Sequence, residues 1–151
     1  MFDLKELYQE VILDHNRRPR NFGPLPNASH QAEGHNPLCG DQLKVYLETD
    51  GKTVNDIHFE GIGCAISKAS ASLMTESVRG KSLAEVDSLY RRFHDLLTGD
   101  PSTTGQADEG LGKLAVFSGV REFPIRVKCA TLAWHTLQAA LESRSDPIST
   151  E

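Results

Sequence analysis

The dipeptide Asp50-Gly51 restricts the fold of this chain more than any other feature. It is a strong hairpin-turn signal, and alternating residues flank it. Before it, Leu43, Val45 and Leu47 alternate with Gln42, Lys44, Tyr46 and Glu48, the pattern of a half-buried strand. After it, Val54, Ile57 and Phe59 mark the returning strand. Val54 has the wrong parity relative to Ile57, which predicts a bulge or a longer turn. Gly61 and Gly63 close the hairpin. A tight turn sets Asp41 opposite Glu60 and Cys39 opposite Ile62; a four-residue turn sets Cys39 opposite Cys64. Either register brings Cys39-Gly40-Asp41 and Gly61-Ile62-Gly63-Cys64 to one open end of the hairpin. Directly opposed Cβ atoms there lie roughly 5 Å apart.

Helical patterns surround the hairpin. Residues 3–16 carry Leu4, Leu7, Tyr8 and Val11 at helical spacing, with Ile12 widening the stripe. Asp3 and Glu6 have capping-box spacing, and Pro19 ends the helix at Arg18. Residues 19–37 are rich in Pro, Asn, Gly and His and read as a long irregular connection. A helix over 64–79 is rich in Ala and Ser and stops at Gly80. Ser82 and Glu85 form a second capping box, opening a helix with Leu83, Val86, Tyr90, Phe93 and Leu97 on one side. Residues 98–110 read as a surface loop and 111–118 as a short helix ended by Gly119. A final helix is expected from about Cys129, followed by a polar, frayed tail over 143–151. The order α-β-β-α-α-α-α gives an α+β fold, a small antiparallel sheet covered by helices. No repeat or linker divides it, so residues 1–151 are expected to form a single domain with an ordered core of about 3–142.

Composition narrows the class. With 38% hydrophobic and 25% charged residues the chain matches soluble globular proteins, not disordered or fibrous ones. Its apolar runs fall far short of the roughly 18 to 20 residues that cross a bilayer. The mixed, acidic start Met1-Phe2-Asp3-Leu4-Lys5-Glu6 lacks a signal-peptide pattern. A cytoplasmic location with no membrane association is the expectation. A net charge of −5 and a pI of about 5.7 argue against a nucleic-acid partner.

The three cysteines, Cys39, Cys64 and Cys129, are an odd number and form no CxxC pair. Buried cysteine often serves as a small hydrophobe. Here, however, Cys39 lies between Pro37 and Gly40, and Cys64 follows Gly-Ile-Gly. Cys64 and Cys129 are each expected where a helix begins, and the partial positive charge there favours thiolate. Arg126 and Lys128 add positive charge beside Cys129. Asp41 offers an oxygen donor two residues from Cys39, so three sulfurs and one carboxylate make a tetrahedral set acceptable to zinc. A metal site and a reactive thiol both fit this spacing.

The segments NPLCGD (36–41), GIGCAISKASASLMTE (61–76) and RVKCATLAW (126–134) resemble the IscU/NifU N-terminal family of iron–sulfur cluster assembly proteins. RRPRNFG (17–23) is similar to that family's loop after the first helix, and the resemblance spans about residues 3–142. Within the family the chain looks most like the SufU branch. It has a long insertion over roughly 90–122, and Lys128 stands where IscU-type members have a ligating histidine. The resemblance implies a SufE/NifU-like fold, with a small three-stranded antiparallel sheet packed against about five helices. It also implies that Cys39, Cys64 and Cys129 are metal or cluster ligands, with Asp41 as the fourth. The implied cofactor is zinc, or alternatively iron or a transient two-iron, two-sulfur cluster. The implied partners are a PLP-dependent, SufS-like cysteine desulfurase and the SUF machinery or apoprotein acceptors. Cys39, on the loop richest in Pro and Gly, is the expected sulfur acceptor.

Two other classes stand beside this reading. A thiol enzyme would use Cys39 or Cys64 as nucleophile, but the sequence offers no clear His–acid partner. A structural zinc protein would use the same ligands without transfer. The six histidines form no metal-binding pair; His35 is a possible alternate ligand by its nearness to Cys39, and His135 reads as structural. The run Arg17-Arg18-Pro19-Arg20 reads as a solvated loop able to meet an acidic partner surface.

Overall fold

The computed structural model describes residues 4–37, 39–98, 111–142 and 148–149. Helix α1 (Leu4–Arg17) is followed by three antiparallel strands, β1 (His30–Asn36), β2 (Asp41–Thr49) and β3 (Val54–Ile62). Helices α2 (Ala65–Val78) and α3 (Leu83–Thr98), a 3-10 helix η1 (Gly112–Glu122) and α4 (Pro124–Leu141) complete the expected five. A two-residue strand β4 (Ile148–Ser149) runs parallel to β1, giving the sheet order β3-β2-β1-β4. The Asp3 cap, residues 99–110 of the expected loop and residues 143–147 and 150–151 of the expected tail lie outside the described residues.

The hairpin forms with the expected irregularity. Asp50 holds the turn by accepting from the backbone N–H groups of Lys52 and Thr53. The register shifts between Glu48 and Thr49, where the parity of Val54 called for it. Beyond the shift Gln42 faces Ile62 and Leu43 faces Gly61, a register that neither simple turn length provides. Alternation sends Leu43, Val45, Leu47, Ile57 and Phe59 inward, all buried.

Residues 30–36, expected to be irregular, instead form β1, paired with residues 41–47 of β2. Its inward residues are Ala32, Gly34 and Asn36, too small or too polar to display a hydrophobic alternation. Helix α4 packs across β1 and β2, and α2 fills the space between α4, β3 and α1. Small side chains allow the close approach: Ser70 Oγ donates to the Ala130 carbonyl at 2.5 Å. Trp134 of α4 stacks on Phe93 of α3 with centroids 4.9 Å apart, and Phe117 of η1 meets Phe93 edge-on. The capping box of α3 closes in both directions, Glu85 N–H to Ser82 Oγ at 3.2 Å and Ser82 N–H to Glu85 Oε1 at 3.4 Å.

Two expected boundaries move. The short helix runs on through Gly119 to Glu122 as 3-10. Helix α4 starts at Pro124, not near Cys129, because proline fits the first helical position, where no N–H is needed. No helix among the described residues is long and apolar enough to cross a membrane.

Candidate metal centre

Three separated segments converge at one end of the sheet. The connection from β1 to β2 carries Cys39, and its geometry follows from its neighbours. The Asn36 carbonyl accepts from Cys39 N–H at 3.2 Å and from Gly40 N–H at 2.9 Å. Gly40 takes a left-handed φ of +73°, which turns the chain into β2. This leaves Cys39 exposed.

Asp41 opens β2 and is fully buried. Its Oδ1 accepts from Cys64 N–H at 2.8 Å, tying β2 to the junction of β3 and α2. Its Oδ2 lies 3.9 Å from Cys64 Sγ. Cys64 is the N-cap of α2, and its sulfur accepts from Ser67 N–H at 3.5 Å. Cys64 is thus placed where the sequence expected it, at a helix start. Gly63 makes this packing possible. A Cβ there would sit 2.9 Å from Asp41 Oδ1 and would collide with Ser67 Oγ.

Cys129 does not sit at a helix start. It lies in the second turn of α4 and is buried, so the dipole argument fails for it. Burial, and then the neighbouring Cys39 and Cys64 sulfurs and the Asp41 carboxylate, push its thiol well above the ordinary range. Its Sγ nevertheless lies 3.2 Å from Cys39 Sγ. Donor atoms of Cys39, Asp41 and Cys129 all fall within 4.8 Å of one another, with Cys64 joined through Asp41.

The chemistry of this donor set tests what it can hold. Two sulfurs and a carboxylate lie close together, with the Cys64 sulfur beside the same carboxylate, and each negative charge raises the cost of the next in a buried site. A thiophilic divalent cation removes that conflict, since it binds thiolates and displaces their protons. Four donors of type S3O suit zinc's tetrahedral preference.

His35 stands apart: it lies on β1 opposite Gln42, on the other face of the sheet from Asn36 and Asp41. His135 is held by Tyr90 Oη at 2.8 Å, between α3 and α4. In the basic run, Arg20 pairs with Asp14 at 2.7 Å. Arg126 lies over the ring of exposed Phe123, 4.7 Å from its centroid. Sequence reasoning missed Asn36 and the packing role of Gly63. Asn36 had a visible signal in its place before Pro37, the start of a turn ending at Gly40.

The NifU-like N-terminal domain matches residues 7–130. The chain belongs to this family. It is 41% identical over 138 residues to the zinc-dependent sulfurtransferase SufU of Bacillus subtilis, covering 90% of each chain. It is 40% identical to the iron–sulfur cluster assembly scaffold protein IscU of Thermotoga maritima, covering 95% of this chain and 98% of that one. Among solved structures it resembles a SUF-system protein from Fervidobacterium islandicum AW-1, with a TM-score of 0.78 and 34% identity, over 92% of this chain and 99% of that one. Membership confirms the resemblance drawn from the cysteine motifs, and with it the fold class.

Proposed function

We propose that this NifU-like chain is a SufU-like, single-domain iron–sulfur cluster assembly protein of the cytoplasm. It binds zinc through Cys39, Asp41, Cys64 and Cys129 and accepts sulfur from a SufS-like, PLP-dependent cysteine desulfurase. The observation that carries this reading is Cys39, an exposed residue whose sulfur lies 3.2 Å from that of buried Cys129. Of the four proposed ligand residues Cys39 is the exposed one, Asp41 and Cys129 being buried and Cys64 partly so, which makes it the one a partner's persulfide can reach.

Zinc, when bound, keeps the thiols deprotonated at neutral pH. The rest belongs to the chain. Gly40 and the Asn36 carbonyl shape the loop that presents Cys39, and Cys64 N–H fixes the Asp41 carboxylate. The Cys39 thiolate attacks the terminal sulfur of the desulfurase persulfide. A bond forms between Cys39 Sγ and that sulfur, and the persulfide S–S bond breaks. Its electron pair leaves on the desulfurase thiolate, so Cys39 ends as the persulfide.

Cys39→Ser is the test. The variant is expected to lose the stimulation of sulfide release by a cognate desulfurase while retaining bound zinc through the remaining ligands. Undiminished stimulation would overturn the role of Cys39. The kinship to an IscU scaffold supports a second reading, in which iron and a two-iron, two-sulfur cluster are cargo destined for apoprotein acceptors. Colourless purified protein with one zinc per chain favours the first; a brown, oxygen-sensitive chromophore favours the second.

A further inference from the structure

Asn36 is fully buried at the end of β1, beside the candidate ligands. Its side-chain Nδ2 faces two of them at once, Asp41 Oδ2 at 3.5 Å and Cys129 Sγ at 3.4 Å. Its main-chain carbonyl holds the N–H groups of Cys39 and Gly40. One residue therefore contacts three of the four ligand residues, and its two parts act differently. The carbonyl shapes the loop whatever side chain is present. The amide group contributes two hydrogens in a place where the loaded site concentrates negative charge.

We infer that Asn36 is a positioning residue that sets how firmly the site retains its metal, by donating hydrogen bonds to the Asp41 carboxylate and the Cys129 thiolate. The inference rests on the ligand set proposed above. Asp41 Oδ1 is already held by Cys64 N–H, so Oδ2 is the oxygen left to a metal, and Asn36 is the amide donor facing it. Donors behind ligands fix their orientation and spread their charge, and losing one typically changes metal affinity by about 10- to 100-fold. A thiolate that loses a hydrogen bond also becomes more electron-rich. That change has a spectroscopic signature.

The test compares the wild type with Asn36→Leu, which keeps the number and branching of side-chain heavy atoms but removes the donor, and Asn36→Ser, which keeps a shorter donor. Each is loaded with Zn2+ and mixed with a chromophoric chelator. Each is also loaded with Co2+ and its sulfur-to-cobalt charge-transfer band recorded. Asn36→Leu is expected to release zinc about 10- to 100-fold faster and to move the cobalt band to longer wavelength. Asn36→Ser should fall between it and the wild type in both readouts. Melting of the metal-free proteins separates a damaged fold from a weakened site; if Asn36→Leu does not fold, Asn36→Ser alone decides. Variants that match the wild type in release rate and band position overturn this inference alone. A wild type that takes up neither Zn2+ nor Co2+ overturns the proposed ligand set, and this inference with it.

Discussion

At the scale of single residues, the site depends on what is absent at position 63 as much as on the donors around it. A methyl group on Gly63 would press on Asp41 Oδ1 and on Ser67 Oγ, both held in place by α2 and its cap. Neither neighbour is a flexible chain end that could swing aside. Gly63→Ala is therefore expected to destabilise the protein by about 1–3 kcal/mol, the usual cost of overpacking, and to lower its zinc content. Urea unfolding and metal analysis check this; an unchanged midpoint with full zinc would refute it. The sequence showed Gly63 as the end of a hairpin but could not show that the glycine makes room for a carboxylate 22 positions earlier in the chain. The candidate donors were legible from the motifs around them, although Cys129 lies inside α4 and not at the helix start that the sequence led one to expect. Asn36 was not, because a polar residue before a proline usually signals only a turn.

At the scale of elements, α1 is fastened to α2 by a buried polar chain. His15 Nδ1 lies 2.7 Å from Ser72 Oγ, which also accepts from Arg20 N–H at 2.8 Å, and His15 Nε2 lies 3.5 Å from Glu76 Oε1. Burial lowers the pKa of His15, with Arg20 and Lys113 acting in the same direction and Glu76 and Asp14 opposing. The unfolded chain thus binds a proton here at a higher pH than the folded one. The stability is fully present above the unfolded value of about 6.5 and is lost as pH falls from there through the lowered folded value. His135, also shifted down by burial, contributes with the same sign. Thermal melting between pH 8 and pH 5 should show the wild type losing stability on acidification, and His15→Gln should flatten that slope. Equal slopes would exclude the latch. Elements with strong apolar periodicity were readable: the hairpin, α2 and α3 are where the pattern put them. Strand β1 was hidden because Ala32, Gly34 and Asn36 face inward against α4, where there is no room for large side chains. The start of α4 was hidden because Ile125-Arg126-Val127-Lys128 alternates like a strand although Pro124 has already opened a helix.

At the scale of the whole molecule, the donors come from the β1–β2 connection, the β3–α2 junction and the second turn of α4. A metal held by all of them ties the sheet to two helices, and binding to the folded state alone adds stability by mass action. At a free metal concentration a thousandfold above Kd this amounts to about 4 kcal/mol. Calorimetry of the zinc-loaded protein should therefore show a clear fall in Tm after chelation; identical transitions would remove the metal from the stability of the fold. The separation of the donors has a consequence for biosynthesis. Cys39 and Cys129 meet across 90 positions of sequence, so a chain still emerging from the ribosome exposes two cysteines and an aspartate long before the third cysteine exists. Such a chain cannot complete the donor set. A full donor set therefore forms only once the helix that carries Cys129 has docked against the sheet.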